Sequence, residues 1–120
     1  MDHEEVLRKL SIRDDEYVDW LLSDVRHSIE ASHLHPRTHA LVGIAALVAS
    51  DAAPPSYLWP VQAALRNGAL PDQIAGILVA VLPAIGSVRV VSAAPKLGLA
   101  LGYDVAEGLE RPPVSDPYGA

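Results

Sequence analysis

"QAALRNGALPDQIAGILVAVLPAIG", residues 62–86, contains the end of one helix, a break, and the whole of the next helix. Asn67-Gly68 supplies a left-handed stop, because glycine enters positive φ without a steric penalty. Pro71 and Asp72 open the second helix. A proline in the first turn forfeits no intrahelical bond, and a carboxylate there faces the positive end of the dipole. From Ile74 to Ile85 apolar side chains occupy almost every position. A helix apolar all round is expected to be buried on all sides. Pro83 and Gly86 are expected to kink it or end it.

The same reading extends in both directions. "YLWPVQAALRNG" starts a helix with Pro60 near its beginning, and "DAAPPS" before it breaks the chain. "PRTHALVGIAALVAS", residues 36–50, is a helix with Pro36 in its first position. In "DDEYVDWLLSDVRHSIEAS", residues 14–32, Val18, Leu21, Leu22, Val25 and Ile29 recur at helical spacing behind three acidic residues. "EEVLRKL" adds a helical turn or two. Downstream, "SVRVVSAAPKLGLALGYD" is expected to give one or two helices divided near Pro95, and residues 111–120 read as a disordered tail. No stretch alternates like a half-buried strand. The expectation is a single all-α domain over residues 1–110, a small bundle of about five to seven helices.

Half of the 120 residues are hydrophobic, with no Phe and two Trp. That is more apolar surface than a small monomer readily hides, so self-association is expected. The net charge of −6 is uneven. Residues 1–39 carry nine acidic and five basic side chains; residues 40–103 carry two and three. An acidic balance without a basic stripe argues against nucleic acid and anionic membranes as partners. The chain has no cysteine, which excludes disulfides, thiolate nucleophiles and cysteine metal sites. The N-terminus is acidic and polar, unlike a secretory signal. The charge-free run between Asp72 and Arg89 is shorter than the roughly 20 residues of a membrane span. A soluble, cytoplasmic protein is expected.

Two segments carry a family resemblance. "LHPRTHALVGIAALVA" is similar to the "L-D-P-R-T-R-x-L-[VI]" segment and Ala-rich helix of the carboxymuconolactone decarboxylase family, which includes the alkylhydroperoxidase D-like proteins. "QAALRNGALPDQIAGILVAVLPAIG" resembles that family's "AAL-x-x-G" helix end and following "T-x-x-[EQ]-I-x-x-[VI]-L" helix. The resemblance spans residues 10–103 and implies an all-α fold assembling as dimers, trimers or hexamers. Peroxidatic members carry a Glu, a C-x-x-C pair and a His. In this chain those positions fall near Ala40, on Ala53 and Ser56, and on Pro60. The resemblance therefore implies a member without the redox site and without a cofactor.

The remaining polar residues admit two readings each. His33, His35 and His39 have a spacing that could serve zinc, but Pro36 puts His35 before the first helical turn and no acidic residue supplies a fourth ligand. Helix-entrance histidines are the preferred reading, and no metal site is expected. His39 shares a helix face with Gly43 and Ala46, and its imidazole could act as a base near neutrality. Arg89, the lone charge between Asp72 and Lys96, could grip the carboxylate of a small organic acid or pair with an acidic residue of another subunit. Tyr57 and Trp59 could line a pocket or anchor a core or interface. Two functions stay open. One is a non-peroxidatic oligomer binding a small organic or apolar ligand, or a protein partner. The other is a cofactor-free lyase or isomerase on a small organic acid, with His39 as base, Arg89 as anchor, and Tyr57 and Trp59 as walls.

Overall fold

The computed structural model describes residues 1–111, so the tail expected over residues 111–120 lies, after Arg111, outside the described residues. Eight α-helices follow one another, with a 3-10 turn, Pro54–Tyr57, after the fourth. They are α1 (His3–Ser11), α2 (Asp15–Ser23), α3 (Val25–Ser32), α4 (Pro36–Ala49), α5 (Leu58–Arg66), α6 (Pro71–Ile85), α7 (Ser87–Ala100) and α8 (Val105–Leu109). Among the described residues there is no strand, and no helix is long and apolar enough to cross a membrane. The chain forms two compact units, Met1–His39 and a second beginning at Ala40.

In the first unit, aspartates start the helices. The carboxylates of Asp2, Asp14 and Asp24 accept the backbone N–H groups of Glu5, Tyr17 and Arg26 at 2.9, 3.0 and 2.9 Å. Each satisfies a donor that a helix start leaves orphaned. Asp24 also explains why the one helix expected over residues 14–32 is two. It is extended, with φ −156° and ψ 128°, ending α2 and capping α3 in the same residue. The Arg26 guanidinium holds its carboxyl down at about 2, with the Arg26 backbone N–H adding to the effect. Tyr17 is buried, and the Trp20 ring stacks on Tyr17 and His27 with centroids 6.3 and 4.2 Å apart.

The second unit packs α5, α6 and α7 around a core that includes Ile44, Val48, Val61, Ile74 and Leu97. Burying each such side chain contributes about 1.5–3 kcal/mol. The helix ends are closed by paired backbone bonds. After α5, Gly68 N and Ala69 N donate to Leu65 O and Ala64 O, and Gly68 sits at φ 92°. This is the left-handed stop that Asn67-Gly68 predicts.

Two expectations are corrected. Pro95 does not divide α7, which runs unbroken from Ser87 to Ala100. Pro95 and the carbonyl of Val91 that loses its helical bond both belong to exposed residues, where solvent can satisfy the carbonyl. Pro83 is likewise accommodated in the last turn of α6, and the helix ends at Gly86 with φ 84°. Nor is α6 buried on all sides. Ile74 and Ile77 enter the core, but Val79 is 74% exposed and Leu82 is exposed too. Within one chain only α5 and α7 pack closely on α6, so its other face stays uncovered.

Candidate functional site

The densest polar cluster of the second unit joins the end of α4 to α7. Arg89, Ser92 and Lys96 are spaced three and four residues apart, which puts them on one helix face. Opposite them, α4 ends in a left-handed turn. Asp51 N donates to Val48 O at 3.2 Å and Ala52 N to Leu47 O at 3.1 Å, with Asp51 at φ 52°. Glycine is the usual occupant of that position, although aspartate tolerates it better than most residues. The Asp51 carboxylate is therefore fixed where Ser92 Oγ donates to Oδ1 at 2.8 Å and Lys96 Nζ lies 3.2 Å away. Lys96 Nζ also donates to Ala52 O at 3.0 Å, and Arg89 Nη1 to Ala49 O at 2.6 Å. Both cations thus meet carbonyls at the negative end of α4.

These partners define the chemistry. The Ser92 hydroxyl and then the Lys96 ammonium hold the Asp51 carboxyl below the ordinary carboxylate range. Ser92 spends its proton on Asp51, and Lys96 spends two of its three on oxygens, so neither is set up as nucleophile or base. Arg89 spends one N–H on Ala49 and keeps four, enough for a bidentate grip on a carboxylate. The cluster can anchor an anion or brace two helices. It offers no general base.

The expected site residues fall in different surroundings. Arg89 is exposed, with the Ala49 carbonyl as its partner. Tyr57 is fully buried in the core, and among the described residues its hydroxyl has no hydrogen-bond partner. Burial, and to a smaller degree the charge of Asp51, push its phenol up, so it stays protonated. Trp59, two residues on, is 71% exposed. Tyr57 and Trp59 therefore do not form paired walls.

His39 belongs to the first unit, half-buried, with Nε2 2.9 Å from Ser28 Oγ. Its two histidine neighbours lie at helix ends. His35 Nδ1 accepts from Arg37 N at 3.1 Å at the start of α4, and His33 ends α3 at φ 59°. Among the described residues no group of three or more His, Cys, Asp or Glu side chains is placed to hold a metal ion.

Asp51, Ser92 and Lys96 were not singled out from the sequence. The available signal was a polar R-x-x-S-x-x-x-K stripe on a helix otherwise almost wholly apolar. Its partner, an aspartate just past the end of α4, becomes visible only once the turn is known. Comparison with protein-family models, curated proteins and solved structures returned no match.

Proposed function

We propose that the chain is a carboxymuconolactone decarboxylase-like protein without the redox site, which self-associates and binds a small organic ligand rather than reducing peroxides. The observation that carries this reading is the uncovered apolar surface of the second unit. Val88 and Val91 of α7 are 82% and 70% exposed, and Val79 of α6 is similarly open. The sequence between Asp72 and Arg89 contains no charge that would keep such a surface in water. Val88 and Val91, three residues apart, share one face of α7, and an exposed apolar face of this kind supports an interaction surface. The polar cluster supports a binding role over catalysis, since its serine and lysine are committed to Asp51 and Ala52. Light scattering of the full chain at micromolar concentration tests the reading. A mass of three or six chains is expected, and a monomer mass would overturn the assembly.

A further inference from the structure

We propose that the cavity between α6, α7 and α8 binds one small, uncharged, apolar molecule. It has a volume of about 200 Å³. Ala75 and Leu78 of α6, Ala94 and Leu97 of α7, and Tyr103 and Val105 at the start of α8 lie around it. Among the described residues no charged side chain lines it. The pocket is open on one side, and a carboxylate set against its apolar floor would lose part of its hydration with no ion to replace it. An apolar molecule loses nothing of the kind and gains by covering the apolar lining. The space fits a substituted ring or a short hydrocarbon. It does not fit a helix of a second copy, whose diameter with side chains is about 10–12 Å.

The wall over the cavity is seated by glycine. A Cβ on Gly98 would come 2.9 Å from Val105 Cγ2 and 3.0 Å from Tyr103 O, so any larger residue there pushes the wall away from α7. Gly108 makes the matching allowance on α8, since a Cβ there would collide with the Tyr103 hydroxyl. The wall follows Gly102, at φ 84°, which turns the chain back from the end of α7. The cavity is thus built by close backbone approach rather than left by poor side-chain fit.

The proposal rests on the ligand-binding half of the function above and is independent of self-association. Its test is calorimetric titration of the full-length protein with toluene and with benzoate, the charged counterpart of the same ring. Toluene is expected to bind once per chain and benzoate at least tenfold more weakly. Ala94→Leu and, separately, Ala75→Leu fill the cavity from two sides. Each should weaken toluene binding at least tenfold while circular dichroism shows the helices intact. Undiminished binding in both variants, equal binding of benzoate, or no toluene binding by wild type would overturn the proposal. So would toluene affinity that falls as protein concentration rises, because a second copy would then be the occupant. Light scattering on the same samples separates the two ideas. A monomer that binds toluene rejects the assembly and keeps the site, and an oligomer that does not bind rejects the site alone.

Discussion

Lys96 Nζ lies 3.2 Å from Asp51 Oδ1, joining α7 to a residue held in the left-handed region at the end of α4. The Lys96 side chain is largely covered while that of Asp51 is half open. The carboxyl is held low in the folded chain, first by Ser92 and then by Lys96. Its contribution to stability is complete above the unfolded carboxylate pKa and is lost as pH falls through the lower folded value. Asp51→Asn keeps a residue that tolerates positive φ and removes the charge. The variant should melt a few degrees lower than wild type at about pH 7, with the gap closing toward about pH 2. Melting curves across that range check it, and a gap that widens in acid would contradict the assignment.

Tyr57 combines a wholly buried ring with a hydroxyl that meets no partner among the described residues. A buried donor left unsatisfied costs about 1–3 kcal/mol, so Tyr57→Phe should leave stability unchanged or raise it by about 1 kcal/mol. Tyr57→Ala should cost about 3–5 kcal/mol through the cavity it creates. Urea denaturation of the two variants measures both. A clear loss in Tyr57→Phe would mean that the hydroxyl is bonded after all, to water or ligand.

Peroxide chemistry by the family's route needs a thiolate and a resolving thiol. The chain has no cysteine, and under the proposed resemblance Ala53, Ser56 and Pro60 stand where that family carries its two thiols and its histidine. Metal-free protein should turn over cumene hydroperoxide no faster than a heat-killed control. Activity above that control would sink the non-peroxidatic reading.

His39 separates the binding role from the lyase. On the binding role, His39→Gln loses the pairing of Nε2 with Ser28 Oγ and lowers stability by about 1 kcal/mol, with no turnover to lose. On the lyase reading, the variant would lose roughly a hundredfold in rate. A decarboxylation and isomerisation screen of small organic acids on both proteins is expected to find no activity in either.

Local chemistry made much of the fold legible. Pro36, Pro71 and Gly68 open or close helices where the sequence places them, because each acts through its own backbone. The split at Asp24 was less visible, since aspartate caps a helix only when its backbone leaves the helical region. Pro95 misled for the opposite reason: an exposed proline can be carried inside a helix whose other face is anchored by Ala93 and Leu97. The polar cluster was half legible. Arg89 stands out by its charge, whereas Asp51 acquires its partners from residues 41 and 45 positions away.

The uncovered face of α7 gives the sharpest test of assembly. Val91 is exposed in the single chain, so Val91→Lys should change the stability of an isolated chain by no more than about 0.5 kcal/mol. If a second copy covers that face, the same substitution places an unpaired ammonium in an apolar contact, at a cost of several kcal/mol. The variant should therefore keep its helical circular dichroism and fall to a smaller mass by light scattering. A control, Arg66→Lys at an exposed position in the last turn of α5, preserves charge and should leave the mass unchanged. An unaltered assembly in Val91→Lys would move the interface off this part of α7, toward the exposed Trp59 and Leu58 at the start of α5.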